Sequence, residues 1–288
     1  MTTVNIDSPT QSQFQLPRRN MRGEDGAKNL VRSEKWCNKV TGCVSYGFGM
    51  LAFCAHESLG GGANLMLTCL HLTLLAHHMS GRVLGEVLHC QMDNTTGEMK
   101  TQATFAYLAY LVSRGTFLRA RAHFNDKGHT HTGLDQTFRT LIRKLFGVAV
   151  YTILDLLRFL HSFLAVSNCR DSQELHCLFD FSNWLLPQTR SFGGFATCKL
   201  HEGMHEVEFY KDSDGVVRAL FRHHCLSSTY FPEGKGYPVF EHALEGAPAL
   251  AKLKTDSEWK STKVMRPLND APTLHQHHAL GMRVISAC

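Results

Sequence analysis

The first residues, MTTVNIDSPTQSQFQ, contain no apolar signal core, which argues against a secretory reading. A membrane-spanning run is also missing. The uncharged interval from Ser58 to Gly81 holds Gly60-Gly61-Gly62 and several histidines, and the apolar stretch from Leu141 to Val166 is interrupted by Arg143, Lys144, Asp155 and Arg158. Neither sign of charge dominates: 30 basic against 25 acidic side chains leave a net +5, too little to imply a nucleic-acid partner by itself. The familiar catalytic signatures are absent too. There is no phosphate-cradling glycine loop, no GxSxG elbow and no HExxH pair, so the expectation is a protein without catalysis of its own. His71-Leu72-Thr73 resembles half of a two-histidine phosphoesterase and has no second half in a comparable setting.

What is present describes a folded chain. An apolar content of 43% with 19% charged residues, over 288 positions, is globular and large enough to bury a core. Eighteen histidines and ten cysteines are the unusual numbers. The cysteines are spread thinly, unlike a secreted disulfide scaffold, and read as reduced thiols of the cytosol or nucleus.

The chain is organised around Leu65 to Met79, LMLTCLHLTLLAHHM, which has no charge, glycine or proline. Its spacing predicts a helix with a wide apolar face, and Leu65, Cys69 and Leu72 fall on one stripe at i, i+4 and i+7. Such a stripe suits a core helix or a helix that docks in a partner's groove. Residues 1–33, with Arg18, Arg19 and Arg22, read as a basic tail, residues 34–231 as a single core domain, and residues 232–288 as a loosely ordered second tail. Val40 to Phe53 predicts strands. Thr101 to Phe124 predicts two strands or a helix and a strand, broken at Gly115. Leu134 to Val166 predicts one long amphipathic helix that Gly147 bends. Later runs are short, and Lys211-Asp212-Ser213-Asp214-Gly215 marks a hairpin. The fold class expected is α+β, with apolar helices in the N-terminal half packed on an antiparallel sheet of hairpins from the C-terminal half.

Two constellations point to ligands. Cys198, His201 and His205, with His223-His224-Cys225 on the partner strand of the hairpin, offer soft donors that suit zinc. Phe117 to Phe124 interleaves Arg119, Arg121 and His123 with aromatics, a pattern that suits RNA as well as a plain amphipathic strand.

Several short pieces in order resemble one family. They are Cys37-Asn38, Val44-Ser45-Tyr46 and Cys54; the leucine-cysteine helix Leu65 to Ala76; Leu88-His89-Cys90; the segment through Phe117 and Asn125; and Ser191-Phe192-Gly193 before Cys198. Over residues 36–200 they resemble the adenovirus early-region-four thirty-four-kilodalton proteins. The resemblance implies a viral early regulatory protein of the host nucleus and cytoplasm. It would be a substrate adaptor joining elongin B, elongin C and a cullin ubiquitin ligase to host target proteins, with a second viral early protein as a further partner and a role in late viral mRNA export. It implies that Leu65 and Cys69 form the elongin box, with Leu72 beside it and Thr73 where an aliphatic residue is usual. It also places His89, Cys90 and Cys198 at zinc-binding positions. The alternative is a viral accessory factor that binds RNA or protein without recruiting a ligase.

Overall fold

The structure, a computed structural model, describes residues 1–9, 14–16, 36–95, 97–125, 133–165, 169–190, 204–223, 227–231 and 233–251. Its centre is a ten-stranded mixed sheet. The first strand, β1 (Thr2–Asp7), lies in the interior of that sheet. It is followed by β2 (Gln15–Leu16), β3 (Trp36–Ser45) and β4 (Gly49–His56), and then by the long helix α1 (Ala63–Met79). A strand–helix–strand unit comes next: β5 (Val87–Met92), α2 (Gln102–Ser113) and β6 (Arg119–Phe124). Helices α3 (Gly133–Leu145) and α4 (Ile153–Ala165) precede β7 (Cys169–Leu175), β8 (Leu178–Phe179) and α5 (Phe181–Leu185). The hairpin β9 (Glu206–Lys211) and β10 (Val217–Arg222), then β11 (Tyr237–Pro238) and β12 (Leu250–Ala251), complete the described chain.

The strand order is β11-β10-β9-β6-β5-β1-β3-β4-β7, with β2 paired to β3 and a separate β8–β12 pair. β1, β5 and β6 run parallel side by side, and β4 and β7 are parallel; the other neighbours are antiparallel. Strand alternation divides the core into two layers. Val4, Ile6, Leu88, Cys90, Ala120, Ala122, Val207 and Phe209 face the front, where α1 and α2 supply Leu65, Cys69, Leu70, Phe105 and Leu108. Val40, Met50, Ala52 and Cys54 face the back and meet Leu134, Phe138, Leu141, Leu156 and Leu160 of α3 and α4.

The fold is therefore mixed α and β, as expected, but strands and helices interleave and do not separate into halves. The expected N-terminal tail contains a fully paired interior strand, because Val4 and Ile6 are as buried as any core residue. The single helix expected over 134–166 is two helices, and Thr152 and Asp155 cap the second: Asp155 accepts from the backbone N–H of Thr152, and Thr152 Oγ1 accepts from that of Asp155. Thr101 to Phe124 is a helix and a strand, separated where Gly115 takes φ +73°. Beyond residue 231, expected to be loosely ordered, Tyr237–Pro238 pairs with β10 and Leu250–Ala251 with β8.

Candidate acidic site at the strand ends

β1 ends on an aspartate, and an aspartate directly follows β5. Their parallel register pairs Ile6 with Met92, so Asp7 and Asp93 are the next residues at adjacent carboxyl ends. Ile6 and Met92 point into the front core, which turns Asp7 and Asp93 to the back face. The third carboxylate comes from α3. Gly42 of β3 stands across from Asp7, and a Cβ there would meet Phe138 Cζ at 2.8 Å, Met50 Cε at 2.9 Å and Leu134 Cδ1 at 3.0 Å. This bare backbone lets Leu134 and Phe138 seat the first turns of α3 against the sheet. Asp135, between them, then forms a side-chain hydrogen bond with Asp7.

Crowding marks the Asp7 carboxyl. Burial is the largest cause, and the hydrogen bond and charge of Asp135 and then the charge of Asp93 add to it, pushing Asp7 up to about 7. The Ser8 backbone N–H, donating to Asp7 Oδ1 at 2.8 Å, acts in the opposite direction. A hydrogen bond between two carboxyl groups needs one proton, so one member of the Asp7–Asp135 pair is protonated when they are joined.

The loop after Asp93 is held from beneath. The backbone N–H of Asn94 donates to Asp93 Oδ1 at 2.7 Å, fixing the side chain in a local turn. Lys100, 2% exposed, donates from Nζ to Asn94 Oδ1 at 3.1 Å and to the Met204 carbonyl at 2.6 Å, with its ammonium 5.3 Å from the Phe124 ring centre. Among the described residues no three His, Cys, Asp or Glu side chains close on one point as a ready metal cage. The aspartates form a touching pair with a third carboxylate in electrostatic reach. That is a partial ligand set of the kind magnesium uses, with substrate phosphate and water completing the shell.

The sequence-derived sites fare differently. Leu65 and Cys69 are 3% and 0% exposed in the front core, and Leu72 is half-buried against it. For α1 to enter an elongin pocket through these residues it would first have to leave the sheet. His89 and Cys90 are separated by strand alternation. His89 is on the back face, stacked on His123 with 3.3 Å between Nδ1 and Nε2, whereas Cys90 is buried in front and its thiol is pushed up by burial. They cannot share an ion. His205 donates its Nδ1 hydrogen to the Phe124 carbonyl at 3.1 Å, and His223 is exposed. Cys198, His201, His224 and Cys225 lie outside the described residues, as do Arg18, Arg19 and Arg22.

A family model described as a domain of unknown function, DUF7869, matches residues 28–227. The chain belongs to the DUF7869 family. The matched span of this DUF7869 chain includes Asp93 and Asp135, while Asp7 precedes it. No curated protein and no solved structure matches the chain.

Sequence reasoning misses all three aspartates, since Asp7 falls in an expected tail and Asp93 in an expected turn. One signal is present. Two alternating runs, TVNID ending at Asp7 and LHCQMD ending at Asp93, each close on aspartate after a buried apolar residue.

Proposed function

We propose that this DUF7869 protein binds a divalent cation, Mg²⁺ or Mn²⁺, through Asp7, Asp93 and Asp135 and acts in phosphoryl transfer on phosphodiesters. The observation that carries the proposal is the Asp7–Asp135 carboxyl pair, with Asp93 in electrostatic reach, at the carboxyl ends of two adjacent parallel strands. In open sheets that is where ligands gather. Hard oxygen donors select magnesium or manganese over zinc, and Asp7, pushed up first by burial and then by Asp135 and Asp93, is a carboxyl whose charged form a cation would favour.

When bound, the cation supplies Lewis acidity at a phosphoryl oxygen and lowers the pKa of a water ligand. The chain's own contribution is positional. Asp7 and Asp93 are fixed by sheet register, Asp135 by the seat of α3 on Gly42, and the Asp93–Asn94 turn by Lys100. The reading departs from the expectation of a chain without catalysis, because a carboxylate set gathered by topology leaves no contiguous motif.

Calorimetric titration of Mn²⁺ and Mg²⁺, alongside cleavage of a fluorescent oligonucleotide, tests the proposal. Wild type should bind the cation and cleave. Asp7→Asn and Asp93→Asn should each lose detectable Mn²⁺ binding and at least about a hundredfold in rate, since metal polarisation supplies several kcal/mol. Asparagine variants that bind Mn²⁺ as wild type does would rule the site out.

A further inference from the structure

The back face of the sheet beyond the aspartates carries a second construction. α3 and α4 pack against β1, β4 and β7, while α2 meets β6, β9 and β10 from the front. The back-facing side chains of β6 are Arg119, Arg121 and His123, in a row that ends at Asn125 beside Asp93. Glu206 and Glu208 of β9 lie beneath them, 1% and 3% exposed. Arg119 Nη1 and Arg121 Nε each donate to Glu208 at 3.0 Å. His123 Nδ1 stands 3.2 Å from Glu206, which also pairs with Arg222. The glutamates are sunk and the cations stand over them, with the Arg119 side chain 54% exposed.

A guanidinium has five N–H donors, and one contact to Glu208 leaves the fork of Arg119 or Arg121 with donors to spare. Three arginines over two carboxylates leave little net charge, so this surface recognises through directed donors more than through a long-range field. Alternate residues of one strand stand about 6.6 Å apart, a regular row. Aromatic faces flank it: the His89–His123 stack on one side and, on the other, Tyr230, whose hydroxyl donates to Glu208 and whose ring lies 4.5 Å from the Arg222 guanidinium. Basic forks interleaved with stacking rings suit a single-stranded polynucleotide, whose bases are open to stack.

We infer that the row Arg119–Arg121–His123 is a track for the backbone of a single-stranded polynucleotide, leading a phosphodiester to Asp93. The direction of the track rests on the phosphoryl-transfer reading; the binding surface does not. Fluorescence anisotropy in EDTA with a labelled 15-nucleotide DNA, an RNA of the same sequence and the corresponding duplex measures binding without turnover, so either idea can fail alone. Both single strands should bind more tightly than the duplex. A triple variant, Arg119→Gln with Arg121→Gln and Glu208→Gln (the last to avoid stranding a buried anion), should bind at least about tenfold more weakly. Its log–log salt slope should fall by about 1.4, at about 0.7 per phosphate contact. If thermal melts show that this variant is unfolded, Arg119→Gln alone, at an exposed side chain, should lower the slope by about 0.7. Equal affinity for DNA and RNA, or a preference for either strand, supports the track. No binding by wild type, tighter binding of the duplex, or a folded variant with wild-type affinity and slope overturns it.

Discussion

Asp7 is held in a conflict that its substitution should relieve. Its carboxyl titrates at about 7 in the fold against an ordinary 3.8, so the folded chain holds a proton that the unfolded chain releases. The protonated form is the one the fold favours. Its contribution is intact below about pH 4 and is lost as pH rises through 7. Asp7→Asn should therefore raise the melting temperature of the cation-free protein at pH 8, by about 2–4 °C per kcal/mol recovered, and leave it nearly unchanged at pH 4. Melting curves at the two pH values check this, and an equal shift at both would show that the gain has another origin. Single residues are the least legible part of the sequence. The family resemblance puts His89 and Cys90 together at zinc-binding positions, yet neighbours on a strand take opposite faces. Asp7 and Asp93 look unrelated because only the parallel register of β1 and β5 makes them neighbours.

Elements are more legible, because periodicity is a local signal. The helix expected from Leu65 to Met79 is α1, and the hairpin expected around Lys211 to Gly215 is the β9–β10 turn. There Asp212 Oδ1 accepts from the Asp214 and Val216 backbone N–H groups at 2.9 Å, and Gly215 takes φ +79°. Periodicity cannot say whether the apolar stripe of α1 faces its own sheet or a partner. Leu65→Ser with Cys69→Ser is the discriminating change. Buried in the front core, the pair should cost about 3–6 kcal/mol in cavities and unpaired hydroxyls, so the melting temperature should fall steeply or the protein should not fold. A variant that melts as wild type does but no longer pulls down elongin would instead support the adaptor role proposed from the family resemblance.

At the scale of the whole molecule, β1 joins two halves of the sheet: β3 on one side through four paired positions and β5 on the other through five. Removing residues 1–8 would expose two unpaired edges in the middle of the sheet and take Val4 and Ile6 from the core. The expected result is an aggregating protein with no cooperative melting transition, visible by light scattering and circular dichroism. A soluble, cooperatively melting truncation would show that β3 and β5 tolerate the loss. The central strand β1 is hard to read from sequence, since TTVNID is too short for its alternation to stand out against a polar neighbourhood.

The same arrangement sets a timetable for synthesis. Asp7 leaves a ribosome before its parallel partner β5, which follows only after both β3–β4 and α1, and Asp135 emerges later still. Until α3 has emerged, a nascent chain holds Asp7 and at most Asp93, never the complete trio. Any partner strand that captures β1 during that interval competes with the native sheet.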